Sequence, residues 1–193
     1  MFLHLPPANE TVAALYERAS AEDGYVANLT KLWAWRPDVL ESFTALRKLL
    51  VTHSTLSDRE RAVLVCATAS SVGDAYCALA WGTRLAQQVD PATAAEILQI
   101  TDVHGITARE GALLRWARQL VRDPNGTTAD DVESMRKAGL VESEIFEATV
   151  FIAFRLAFST VNDALGAQPD SQLADAAPAE VRRAVTYGRP IGN

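Results

Sequence analysis

Apolar positions recur along this chain at three- and four-residue steps, the spacing that lines one face of an α-helix. After Pro37, the residues Val39, Phe43, Leu46 and Leu50 fall on such a face. A helix is therefore predicted from Pro37 to about Leu50, with proline suited to its first turn. Ahead of it, Thr11–Ala21 reads as a first amphipathic helix that Gly24 breaks. Ser57-Asp-Arg-Glu60 and Thr107-Ala-Arg-Glu110 are capping boxes, in which a hydroxyl and a carboxylate each satisfy a free amide of the first turn. They predict helices from Asp58 to about Val72 and through Val121. Between these, Gly73 stops one helix and Asp74 caps the next, from Ala75 to about Val89. Asp90-Pro91 repeats the cap-plus-proline start and leads to about Ile100.

Asp123-Pro-Asn-Gly126 reads as a loop, and Thr128 caps a short helix ending at Gly139. The longest helix is expected from Glu144 to about Leu165, ~33 Å at 1.5 Å per residue. Its apolar residues run nearly all the way round, which fits a place in the core or in a subunit interface. No period-two pattern of strands occurs. The fold class is all-α, a single-domain helical bundle over 1–168, with 169–193 as a C-terminal arm or tail.

Hydrophobic residues make up 49% and charged residues 22%, the profile of a soluble globular chain rather than a disordered one. The net charge is −6 with no basic stripe, which argues against nucleic acid or an anionic membrane as partner. The most apolar stretch, Ala148–Phe158, is too short to span a bilayer and Arg155 interrupts it. MFLHLPPANE does not read as a secretory signal. Two cysteines make no disulfide framework, so a reducing, cytoplasmic setting is expected.

The candidate chemistry sits in VGDAYCALAWG, residues 72–82. Cys77 falls in the first turn after the cap, where free amides and the helix dipole favour a thiolate. Asp74, three residues back on the same face, opposes it. Cys77 is thus either a core cysteine or a reactive thiol, and Asp74 either a plain N-cap or a proton acceptor. Trp81 follows one turn later and can wall a substrate pocket or pack in the core. Tyr76 can reach a ligand with its hydroxyl or point outward. His53 lies in the loop before the first capping box and can approach Cys77 in space. Cys66 reads as a small buried hydrophobe. His4, His53 and His104 have no metal-ligand spacing, and no phosphate-binding glycine loop occurs, so neither metal nor cofactor is expected.

Several segments in order resemble one family. They are Gly24-Tyr-Val-Ala-Asn28 with Arg36-Pro37, Leu56-Ser-Asp-Arg-Glu60-Arg, Gly139-Leu140, and Val161-Asn162-Asp163-Ala164-Leu165-Gly166. Together they are similar to the alkylhydroperoxidase D-like and carboxymuconolactone decarboxylase-like proteins, in the peroxidase-related branch, over most of the chain. The resemblance implies an all-helical homo-oligomer, a trimer or hexamer. It also implies thiol-dependent peroxidase chemistry on an alkyl hydroperoxide, with an external thiol as reductant. Active forms of the family carry Cys-x-x-Cys, a histidine four residues later and a glutamate on the preceding helix. By position the second cysteine falls on Cys77, the first on Asp74, the histidine on Trp81 and the glutamate on Ala62. A single-cysteine peroxidase is the leading expectation. The alternatives are a non-redox relative, either a small-molecule binding protein or a lyase or isomerase, and an inactive oligomeric scaffold.

Overall fold

A computed structural model describes residues 1–192. Eleven helices and one 3-10 turn, with no strand, make up the described chain. In order they are α1 (Glu10–Asp23), α2 (Asn28–Trp33), α3 (Pro37–Thr52), α4 (Asp58–Val72), α5 (Ala75–Ala86) and α6 (Pro91–Gln99). Then come α7 (Ala108–Arg122), the turn Pro124–Gly126, α8 (Ala129–Lys137), α9 (Glu142–Ala164), α10 (Ser171–Ala176) and α11 (Ala179–Ala184).

Both capping boxes form. Ser57 Oγ accepts the Glu60 amide at 3.2 Å and Glu60 accepts the Ser57 amide at 2.8 Å; Thr107 and Glu110 repeat the exchange at 3.1 and 2.7 Å. Each box also carries an arginine just before its glutamate, and the two boxes share them. Arg59 pairs with Glu110 and Arg109 with Glu60, both at 2.5 Å. The starts of α4 and α7 are thereby cross-linked, and Arg109 reaches on to Glu144 at the start of α9. Glu147, one turn further along α9, is bound as well: it accepts from Ser54 and Thr55 in the loop before α4.

The central helix is α4 rather than α9. Every residue from Glu60 to Ser70 is buried, and α4 packs on α5, α6, α7 and α9. Ala62, Cys66, Ala67 and Ala69 keep this helix slim, so its neighbours approach from all sides. On α9, Phe146 is 72% exposed and Ala153 and Ala157 also face out.

The segment 169–193 is the one expected as a C-terminal arm or tail. Through its described residues it folds back as α10 and α11 against α5 and α6, with Val181 wholly buried. Burying Ala174, Ala177, Val181 and Ala184 removes apolar area from water, which holds these two short helices where propensity alone would not. The chain then crosses the α4–α5 turn. A methyl group on Gly188 would collide with the Gly73 carbonyl and the Ala75 amide, so only glycine allows that approach.

Candidate functional site

The α4–α5 turn sets the site. Gly73 takes φ +76°, which lets the chain reverse at once into the next helix start. Asp74, wholly buried, then caps α5: its Oδ1 accepts the Cys77 amide at 2.8 Å. Its Oδ2 accepts the Ser159 hydroxyl at 2.6 Å. Sulfur of Cys77 lies 3.1 Å from Arg155 Nη2 and 3.9 Å from Ser159 Oγ. Arg155 and Ser159 are four residues apart on α9, so they share a face and meet the start of α5 together.

Cys77 is only 4% exposed. Burial pushes its thiol up to about 12; the Arg155 charge pulls it back, and Asp74 pushes it further up. The resting sulfur is therefore a neutral thiol beside a cation, with Asp74 in reach as acceptor. Asp163, one turn beyond Ser159, is raised to about 7, first by burial and then by the charge of Asp74, with Arg189 opposing.

Trp81 lies at the partly buried edge of the core, one turn after Cys77. Arg84 and Arg155 approach its ring, with guanidinium carbons 4.9 and 5.3 Å from the centroid. Tyr76 faces elsewhere: its hydroxyl donates to Asp170, which also accepts the Asn28 amide at 2.9 Å. That bond ties α5 to α2 and to the segment before α10. Burial, followed by the Asp170 hydrogen bond, raises the Tyr76 hydroxyl well above its usual range.

The structure does not bring His53 to Cys77. His53 is exposed at the end of α3, and the residues after it bind Glu147. Glu147 lies two turns before Arg155 on α9, about 12 Å along the axis. Cys66 is wholly buried in α4, and burial raises its thiol far above the ordinary value, with Cys77 adding to the effect. Both cysteines are free. Among the described residues no cluster of three metal-ligating side chains occurs. Nor, among them, is any helix long and apolar enough to cross a membrane.

Arg155 and Ser159 are the residues that sequence reasoning missed. Arg155 was legible only as a break in an apolar run. The signal was there: a lone cation on a helix apolar nearly all round must be buried and needs a partner.

Residues 37–119 match the model of the carboxymuconolactone decarboxylase family. The fold is similar to an uncharacterized peroxidase-related protein from Silicibacter sp. TM1040, 25% identical, with a TM-score of 0.77 over 89% of this chain and 93% of that one. It is similar also to the alkylhydroperoxidase AhpD core of a peroxidase-related protein from Ralstonia eutropha JMP134, 20% identical, with a TM-score of 0.76 over the same shares. The debrominase Bmp8 shares the fold at 14% identity and a TM-score of 0.71, over 96% of this chain and 97% of that one. No curated protein matches the chain.

Proposed function

We propose that this chain, whose residues 37–119 match the carboxymuconolactone decarboxylase family model, is a single-cysteine peroxidase-like oxidoreductase acting on an organic hydroperoxide. The observation that carries the reading is the Cys77 sulfur at 3.1 Å from the Arg155 guanidinium, beside Asp74 and Ser159. A cation at that distance stabilises negative charge on sulfur as it develops. Because burial keeps the resting thiol neutral, attack is base-assisted rather than by a standing thiolate.

Asp74 takes the thiol proton as sulfur attacks the outer peroxide oxygen. The S–O bond forms, the O–O bond breaks, and the leaving alkoxide takes the proton back. Cys77 becomes a sulfenic acid and the substrate an alcohol. With no second cysteine in the motif, an external thiol condenses with the sulfenic acid and releases water. A second thiol then displaces Cys77 as an external disulfide. Hydroperoxide and two thiols thus become alcohol, water and disulfide. Two free thiols suit a reducing compartment, so this reading includes a cytoplasmic location. It also includes a homo-oligomer, a trimer or hexamer. Support comes from α3, which buries none of its residues and leaves Leu46 and Leu49 45% and 57% exposed.

Cumene hydroperoxide consumption with dithiothreitol is the test, with dimedone trapping of the sulfenic acid read by mass spectrometry. Consumption and a dimedone adduct on Cys77 are expected, both lost in Cys77→Ser and kept in Cys66→Ser. Equal consumption by Cys77→Ser, or none by the parent, would overturn the reading. The neutral resting thiol favours a second reading, a non-redox small-molecule binding protein or a lyase or isomerase. In that case the parent gives no adduct.

A further inference from the structure

Trp81 is approached by more positive charge than the fold needs. Arg84, on its own helix, and Arg155, on α9, both lie over its ring. Arg47 of α3, at an exposed position, feels both charges: partial desolvation of its side chain and then the charges of Arg155 and Arg84 lower its pKa. Two helices thus each bring one arginine to one ring, and the charge of both reaches Arg47 on a third. The chain carries 24 acidic residues against 18 basic ones, ample to neutralise them. Arg59, Arg109 and Arg136 are neutralised in this way, whereas others, Arg118 and Arg189 among them, form no ion pair among the described residues; what sets the group at Trp81 apart is that two guanidinium groups share one ring. Among the described residues, no ion pair involves Arg47, Arg84 or Arg155. Arg155 is only 6% exposed, and its Nε has no hydrogen-bond partner. Asp74, the carboxylate of the site, is already engaged by the Cys77 amide and the Ser159 hydroxyl.

A buried guanidinium with an unmet donor costs free energy, and like charges gathered beside it add to that cost. A bound anion offsets both. Guanidinium forks match a planar carboxylate in a bidentate way. Trp81 and Phe158, which both lie at the edge of the core beside Arg155, offer an apolar surface to the rest of the molecule.

We propose that Arg84 and Arg155, with Trp81, form a subsite for the carboxylate of the molecule that Cys77 acts on, Arg47 adding only to the positive field around it. The substrate class is then a carboxylate-bearing organic hydroperoxide with an apolar body. Its role as a substrate subsite rests on the reading of Cys77 as the reacting thiol; the anion site itself does not.

The probe is benzoate, with benzamide as its uncharged counterpart, titrated by calorimetry. Benzoate is expected to bind the parent at least about tenfold more tightly than benzamide, a difference of ~1.4 kcal/mol that added salt reduces. Arg47→Gln with Arg84→Gln, at two exposed positions, should abolish the preference without changing the melting temperature. Cys77→Ser should keep it. Equal binding of the two probes, or a preference that survives the double substitution, would overturn the subsite. So would an absent preference together with a fall in oligomeric mass in the double variant, since the arginines would then be pairing across a subunit contact. A benzoate preference without Cys77-dependent peroxide consumption would leave the subsite standing and remove the peroxidase reading. The reverse pattern would do the opposite.

Discussion

Replacing Arg155 with methionine removes the one cation against the Cys77 sulfur and keeps an apolar stem beside Trp81 and Phe158. Two unit charges at that separation interact by about 5 kcal/mol at an effective dielectric near 20. The guanidinium spreads its charge over three nitrogens, and its distance to sulfur fluctuates. A loss of about 1.4–2.8 kcal/mol of thiolate stabilisation is the realistic share, which is roughly one to two pKa units. Cys77 starts from about 12, because burial outweighs Arg155. At pH 9 only about one thiol in a thousand is then ionised. Iodoacetamide alkylation, in a Cys66→Ser background and read by intact mass, should rise about tenfold per pH unit with no plateau from pH 8 to 10. Arg155→Met should slow it by roughly tenfold to a hundredfold at each pH. A plateau below pH 8.5 in the parent would refute the dominance of burial. A rate unchanged or raised by Arg155→Met would refute the role assigned to the guanidinium.

Other perturbations test the frame around this site. Asp163 has a folded pKa of about 7, above its unfolded value, so the native state holds its proton longer and stability falls as pH rises from about 4 to 7. Asp163→Asn should flatten that slope and add about 1–2 kcal/mol at pH 8 after allowance for solvent screening, measured by urea unfolding. Gly82→Ala would put a methyl 2.7 Å from Leu98 Cδ1 and 2.8 Å from Val181 Cγ1. It should cost about 1–3 kcal/mol by forcing α11 off α5 and α6, with faster proteolysis after residue 168 as the local readout. Arg109→Ala leaves Glu60 and Glu144 without their shared cation and should cost about 2–4 kcal/mol at pH 7. Burial raises Glu60, but hydrogen bonds from Ser57 and Arg109 hold it low on balance, and Arg109 first of all holds Glu144 low. Both folded values lie below the unfolded ones, so that stability is present above about pH 4.5 and lost as pH falls. The cost of Arg109→Ala should therefore shrink toward pH 3, in thermal melts across that range.

The parts of this fold that were legible in the sequence are those decided within one turn of chain. Ser57 with Glu60, Thr107 with Glu110, and Asp74 with the Cys77 amide each span three residues, and each forms as read. The helices at Asn28–Trp33, Ser171–Ala176 and Ala179–Ala184 were not legible. Each has six residues and no side-chain cap, too few positions for a period to show. They are held by what they pack against, and sequence spacing says nothing of that. The central place of α4 was hidden for a related reason: Ala, Cys and Ser are weak markers of hydrophobic periodicity, yet their small size is what lets four helices close on it.

The site divides in the same way. Asp74, Cys77 and Trp81 lie within two turns of one helix, so their spacing by itself puts them on one side of α5. Arg155, Ser159 and Asp163 follow the same four-residue rule on α9, and that face too can be drawn from spacing. What spacing cannot supply is which two faces meet, because the Cys77–Arg155 contact joins residues 78 apart. The histidine shows the opposite error. His53 looked eligible because its element adjoins α4 in the chain, but the bond from Thr55 to Glu147 fixes that loop about two turns from Arg155. Chain adjacency limits distance only loosely, whereas a buried cation without a local acid demands a distant partner. In an apolar helix the charged residue is thus the better guide to a site than the residue type the chemistry usually favours. Here that guide leads from Arg155 to the sulfur, and its unmet Nε is what motivates the anion subsite proposed above.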